Sequence, residues 1–261
     1  MTNIEFQRGA IDAGSCVGNA WELIKRRYWM YVGIAALGFI MSSYLYCISW
    51  FLLGPVLAGI YFVALRDMRG EPVDFGMMFK GFEKFVPLMI IGLLQSIPQV
   101  ITQILSLTLN IGQLLIPKGR NGDIQFFQRS DPNFAIAGGF FAIIMIVFLA
   151  IFLFSILWYL VFLFAVPLVM EYDLAPMDAI KLSAKAGFAN VGGLIVLAIF
   201  LGLIMLLGFI MICFGIFFVS LPIMYVANAF AYRQVFPWIE QNYNLNPPPP
   251  TTYGDFGSGM Q

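Results

Sequence analysis

Gln95, Gln99, Gln103, Ser106, Asn110 and Gln113 recur at spacings of 4, 4, 3, 4 and 3, which keeps all six on one face of a helix. Amides and hydroxyls donate and accept hydrogen bonds without carrying charge. Set in hydrocarbon they need partners, so this face should look at protein or water rather than lipid. Three uses fit: interhelical or subunit contacts, a hydrophilic pathway for a neutral solute, or a helix lying partly at the surface. Pro98 within the stripe predicts a kink compatible with each. A second constellation is the run Lys25, Arg26, Arg27 followed by Tyr28 and Trp29. It reads as a topology determinant, or as a set of contacts to anionic lipid headgroups.

Other chemistries lack their residues. There is no histidine, which removes the commonest metal ligand and the commonest general base together. Cys16, Cys47 and Cys213 form no CxxC pair, so neither a zinc site nor a redox motif is indicated. Cys47 and Cys213 fall near the outer ends of their spans, where an oxidising compartment could join them; free buried thiols are the simpler reading. The acidic residues Asp67, Glu71, Asp74, Glu171, Asp173 and Asp178 gather on two connectors. They could hold a cation or exchange protons, but helix caps and local ion pairs explain them with less. No catalytic residue, cofactor or metal site is expected.

The elements that must position these groups follow from where charge is missing. All Asp, Glu, Lys and Arg fall outside 28–65, 85–117, 132–170 and 186–232. With 61% hydrophobic residues, 11% charged residues and a mean hydropathy of +0.86, the chain reads as an all-α integral membrane protein. A span needs about 20 apolar residues, so the first and last stretches each hold two and the second holds one. The third is settled by charge. With six spans and the N-terminus inside, eleven of the 14 Lys and Arg lie on the cytoplasmic side, leaving Lys118, Arg120 and Arg129 outside. Five or seven spans lose that bias. Helices are therefore expected near 28–48, 50–66, 86–113, 136–168, 190–212 and 215–236, the fourth long enough to tilt, kink or project. Whether 132–170 is one helix or a broken one stays open.

Three regions result: a cytoplasmic segment 1–27, a six-helix domain 28–236 and a Pro-rich tail 237–261. The first carries Glu5, Asp12 and Glu22 and does not read as a signal peptide. Positions 10–27 predict an interfacial helix with Val17, Trp21 and Ile24 opposite Asn19, Glu22 and Arg26. The tail has four consecutive prolines and a composition that forms no core. The net charge of zero offers nothing to nucleic acid.

The connectors resemble each other. Pro72-Val73-Asp74 leads to Gly81-Phe82, and Pro176-Met177-Asp178 leads to Gly187-Phe188. Each predicts a short amphipathic helix with the proline in its first turn. Met78, Phe82 and Phe85 would face the bundle in one, Ile180, Ala184 and Phe188 in the other, with Lys80, Lys84, Lys181 and Lys185 outward. A repeat of two spans, surface helix and span would make two related three-helix halves. Gly54 with Ala58, and Gly192 with Gly193, read as packing positions, and Pro55, Pro167 and Pro222 as kinks.

Gly54-Pro55 with Gly59, Arg69-Gly70-Glu71-Pro72 and Gly81-Phe82 together resemble the first half of a widespread group of uncharacterised bacterial inner-membrane proteins. Pro167, the run Leu174-Ala175-Pro176-Met177-Asp178-Ala179-Ile180-Lys181-Leu182-Ser183, Asn190, and Tyr232-Arg233-Gln234-Val235-Phe236 resemble its second half. The group is similar to the membrane domain attached to some glycerophosphodiester phosphodiesterases, and the resemblance covers about residues 10–236. It implies a six-helix inner-membrane protein. The soluble phosphodiesterase domain has no counterpart in this sequence, so that activity is not implied.

The expectation is thus a non-enzymatic membrane subunit or scaffold in the bacterial inner membrane, both termini cytoplasmic. It would pack against other subunits, itself or membrane lipids. The alternative is a carrier or channel for a neutral or amphipathic solute. Coupling to ions is disfavoured because no carboxylate lies within a span. Partner, solute, lipid selectivity and oligomeric state are not readable.

Overall fold

Uninterrupted apolar sequence without a charge satisfies its backbone in lipid by becoming helix. The computed structural model describes the backbone of residues 4–43, 49–115, 132–211 and 214–238, with side chains over 4–41, 50–108, 143–211 and 214–238. Among the described residues every regular element is helical. In order they are α1 (Ala13–Arg26), α2 (Tyr28–Ser43), α3 (Ser49–Met68), a 3-10 turn (Phe75–Phe82), α4 (Phe85–Gln95), α5 (Ile97–Leu115) and α6 (Pro132–Phe162). There follow α7 (Ala165–Tyr172), α8 (Pro176–Ala189), α9 (Val191–Ile210), a π-helical turn (Ile216–Ser220) and α10 (Leu221–Val235). Residues 116–131 and 239–261, together with Cys47 and Cys213, lie outside the described residues.

Among the described residues four helical lengths are long and apolar enough to cross a bilayer: Trp50–Met68, Ile143–Tyr172, Val191–Ile210 and Ile216–Val235. A fifth exists if Phe85–Gln95 and Ile97–Thr108, bent by 45°, count as one. The apolar stretch Tyr28–Met41 of α2 is shorter. Burial divides these spans into two kinds. In the most apolar window of α3, and of α10 with its π turn, 61% of positions are buried, against 6% for Ile143–Tyr172 and 17% for α9. So α3 and α10 are the interior, and α6 and α9 are the apolar exterior.

The core gathers at the charged end of the bundle. Phe164, Tyr232 and Phe236 are fully buried, with ring centroids 5.2 to 6.1 Å apart. Around them pack Leu168, Val226, Ala227 and Ala231, and the inner face of α1. That face differs from the expected one. Ala13, Cys16, Ala20, Leu23 and Ile24 are buried, while Trp21 is exposed and Val17 half-buried. The helix docks on α9 and α10, and its small residues Ala13, Cys16 and Ala20 join Leu23 and Ile24 on the close face.

Both predicted connector helices exist, with adjustments. The first is a 3-10 turn capped by Asp74, whose carboxylate accepts from the Met77 amide at 3.1 Å; Pro72 lies before the cap. The second starts with Pro176 at its first position, as expected. It buries Ala179, Ser183, Ala186 and Gly187, whereas Phe188 is exposed and Ile180 and Ala184 are half-buried. Gly81 lies against the Pro55 carbonyl and Gly187 against the Leu160 carbonyl, so each Gly-Phe pair seats its glycine on the backbone of the preceding span.

Helix breaks are placed by proline and repaired by aromatic donors. Pro98 has no N–H to give the Leu94 carbonyl, and there the indole Nε1 of Trp158 donates at 2.9 Å. Pro222 likewise frees the Phe218 carbonyl, which accepts from the Tyr28 hydroxyl at 3.0 Å. In the fourth span the interruption falls at Leu163–Phe164 rather than at Pro167. Pro167 sits in the first turn of α7, where its missing N–H goes unneeded, and the Phe164 amide donates to Ser183 Oγ at 3.1 Å. Trp158→Phe is expected to cost about 1 kcal/mol by removing the indole donor from the Leu94 carbonyl, which then keeps only the Ser96 amide. Thermal unfolding in detergent checks it. Adding Pro98→Ala restores a donor, and should recover most of the loss.

Candidate functional site

The stripe does not run along one straight helix. The chain breaks at Ser96, between α4 and α5, and leaves a cleft of about 280 Å³ lined by Leu53, Gln95, Ser96, Gln99, Trp158 and Tyr159, among others. Along α4, Gln95 stands about 15 Å from Phe85, half the thickness of a hydrocarbon core. Its Oε1 is buried and accepts no hydrogen bond. Gln99 and Ser106 are exposed and Gln103 is half-buried; the side chains of Asn110 and Gln113 lie outside the described residues. The break therefore joins Gln95 and Gln99 to one cleft, while Ser106 is exposed beside Ile101, Ile104 and Leu107.

Several donors around this cleft are engaged, while the Tyr159 hydroxyl and the amides of Gln95 and Gln99 keep theirs. Ser96 Oγ donates to the Leu93 carbonyl, Thr102 Oγ1 to that of Pro98 and Ser155 Oγ to that of Ile151, each at 2.8 Å. Trp158 is committed to Leu94, and the Tyr159 hydroxyl accepts from Asn228 Nδ2 at 3.1 Å. No charged side chain lines the cleft. It is a neutral site that offers both donors and acceptors.

The basic run behaves as three separate residues. Lys25 is exposed, pairs with Glu22 at 2.6 Å and lies over the Trp21 ring; Arg26 is exposed. Arg27 turns inward, donating to the Val73 carbonyl at 2.6 Å and approaching Asp67 at 3.7 Å. Asp67, itself buried, also accepts from the Tyr31 hydroxyl at 2.7 Å. Lys25 and Arg26 thus remain available at the surface, while Arg27 ties α1 to α3.

Sequence reasoning missed a charged clamp. Glu171, at the end of α7, accepts from Arg69 Nη2 and Arg233 Nη2, each at 2.9 Å, through Oε1, and from the Tyr232 hydroxyl at 2.7 Å through Oε2. The Trp238 ring covers both guanidiniums, at 5.5 Å and 4.6 Å. Arg233 is 8% exposed, which makes this a desolvated pair. Gly70 positions Arg69: its φ of 73° lets α3 end with Gly70 donating to Asp67 and Glu71 to Arg66, so that Arg66 also meets Glu71 through side chains. Beside the clamp, Lys84 donates to the Val169 carbonyl at the end of α7 and pairs with Asp173 at 2.7 Å. Caps and local pairs do account for Asp74 and Glu71. They fail for Asp67, Glu171 and Asp173, whose partners stand on other elements.

The remaining described thiol is structural. Cys16 is buried and donates to Gln234 Oε1 at 3.3 Å, and burial, with Asp12 nearby, pushes its pKa up to about 12. The neutral thiol favours the fold, so this contribution is present below the unfolded value near 9 and is lost as pH rises towards 12. In a variant retaining Cys16 alone, alkylation by iodoacetamide at pH 8 is expected to be at least tenfold slower than in denaturant. Equal rates would show an open thiol. Among the described residues no group of three or more His, Cys, Asp or Glu is placed to hold a metal ion.

No protein-family model matches the chain, and neither a curated protein nor a solved structure matches it.

Proposed function

We propose that this chain is a non-enzymatic integral subunit of the bacterial inner membrane, with six spans and both termini cytoplasmic, whose α5 face is completed by another membrane chain or a second copy. The observation that carries the reading is the exposure of Gln99 and Ser106 among Ile101, Ile104 and Leu107. Polar groups on a hydrocarbon-facing helix seek partners across an interface, and amides are common glue there. The clamped end supports a scaffold role, since it joins α3, α7 and α10 rigidly while α6 and α9 present broad apolar faces. The positive bias of one set of connectors supports the orientation. The sixth span is proposed for the region of α2, whose described apolar stretch is Tyr28–Met41. The seating of Gly81 and Gly187 supports two related halves, and the resemblance to the phosphodiesterase-attached membrane domain is proposed for the membrane part alone.

Cysteines at positions 99 and 106 test the docking face. In native membranes Gln99→Cys and Ser106→Cys should give crosslinked species of higher mass, while Ile199→Cys on the exposed side of α9 should not. Equal crosslinking from all three, or a monomer with positions 99 and 106 freely exposed to lipid, overturns the reading. The cleft favours a second reading, a carrier for a neutral solute. A water path to position 95 from both sides of the membrane, read by labelling Gln95→Cys with an impermeant thiol reagent, would carry it.

A further inference from the structure

We propose that α8 lies in the bilayer surface and binds the phosphodiester headgroups of anionic lipids through Lys181 and Lys185. The proposal rests on the membrane placement of the subunit, but on neither the α5 partner nor the side that the termini occupy. One face of the helix is tied into the bundle, against α6 and α7. Ala179, Ser183, Ala186 and Gly187 are buried there, with Ser183 Oγ accepting from the Phe164 amide at 3.1 Å and Gly187 seated on the Leu160 carbonyl. Among the described residues the opposite face is open. Met177, Asp178, Lys181, Lys185 and Phe188 are all exposed on it.

That open face is divided lengthwise. At about 100° per residue Met177 and Phe188 fall side by side and border half-buried Ile180 and Ala184, whereas Lys181 and Lys185 lie further round, with Asp178 at the far edge. An apolar edge beside a basic strip is the sectoring of a helix half sunk at a lipid boundary. Its level follows from α9, which opens directly after α8 with Val191, Ile195, Val196 and Ile199 exposed, so hydrocarbon begins close beside Phe188. The ammonium groups then reach headgroups while their stems lie along acyl chains. Charge selects which headgroups. Among the described residues the cations in no ion pair are Arg8, Arg26, Lys181 and Lys185, and the last two stand one turn apart on this face. Asp178 pairs with neither. A zwitterionic headgroup neutralises its own phosphate, so two such cations favour a lipid with net negative charge, each by a factor of about five.

The test uses the full chain in phosphatidylcholine vesicles carrying, in parallel samples, diazirine-tagged phosphatidylglycerol or diazirine-tagged phosphatidylcholine at equal mole fraction. Photolysis should label peptides covering 174–195 at least fivefold more heavily with the anionic lipid, and the lipid-facing stretch 143–157 equally with both. Lys181→Gln combined with Lys185→Gln should bring the two lipids level, while Lys181→Arg combined with Lys185→Arg should keep the difference. Free glycerol phosphate should not compete; competition by it would make this a site for soluble phosphate and overturn the proposal. Equal labelling of 174–195 by the two lipids also overturns it and leaves the lysines to an acidic protein, as does an anionic preference that extends evenly to 143–157. The lipid comparison needs no variant, so it decides the matter even if the glutamine pair fails to fold. Crosslinking at positions 99 and 106 is read separately, so a failure here leaves the subunit reading standing.

Discussion

Glu171→Ala is expected to lower stability by about 3–5 kcal/mol, because it leaves Arg233 buried without its counterion. The loss is larger than for an exposed pair. A surface ion pair is worth about 0–1 kcal/mol, since water solvates both partners when they part. Here Arg233 is 8% exposed and sealed beneath Trp238, so removing the carboxylate exposes a desolvated cation rather than restoring a hydrated one. Three partners lose their acceptor at once: Arg69, Arg233 and the Tyr232 hydroxyl. Glu171→Gln keeps an acceptor and should fall between wild type and alanine. Combining Glu171→Leu with Arg233→Met removes both charges, and should restore much of the loss. Thermal unfolding in detergent gives the order. If Glu171→Ala unfolds like wild type, the clamp is superficial.

Gly59→Ala should cost about 3 kcal/mol or more, in the upper range for overpacking, because the added carbon meets backbone rather than a side chain that can swing away. Its obstacle is the Met78 carbonyl. Gly54 faces the Leu88 carbonyl, Gly81 the Pro55 carbonyl and Gly92 the Gly54 amide, so α3 lies on the 3-10 turn and α4 backbone to backbone. Small residues permit this approach, which in lipid replaces the missing hydrophobic drive with close van der Waals packing. Gly192→Ala supplies the opposite sign. Nothing lies within 4 Å of a carbon added there, so helix propensity should dominate and stabilise by about 0.5–1 kcal/mol. A comparable loss in both variants would show that chain flexibility, rather than the seam, governs these positions.

The same contrast shows what the sequence made legible. Gly54 with Ala58 reads as packing because small residues four apart share a face, and α3 does bury that face. Gly192 and Gly193 read alike, yet only Gly193 meets a neighbour, Ile11. That neighbour comes from a segment far away in the chain. Helix positions followed from charge exclusion, a local property, and among the described residues helices lie in each expected segment, two of them broken, with four lengths, or five counting the bent pair, long enough to span. The break at Ser96 was announced by Pro98, but its effect on the stripe was not. Periodicity assumes a continuous helix, and a 45° bend sends the two ends of the stripe to different surroundings. The fourth-span break shows a related limit. Pro167 marks the place within a turn, while the actual interruption is stabilised by Ser183 from α8. The clamp was least legible of all. Arg69, Glu171 and Arg233 are each ordinary residues at a span end, and only the fold reveals that one carboxylate serves both cations.

The docking of α1 has a consequence for biosynthesis. Gln234 accepts from the Asp12 amide and from Cys16 and donates to Ser15, the Gln7 amide donates to the Val235 carbonyl, and Asn190 holds both Ala10 and Gln7. Until residue 235 has followed it, α1 therefore has only the α9 part of its seat. Domains usually settle from the N-terminus during synthesis, but this one keeps its first element waiting for its last. A nascent chain arrested before α10 would carry α1 only partly docked, its close face open in part to lipid or to a chaperone. Quality control at the membrane could read that face as the mark of an unfinished chain.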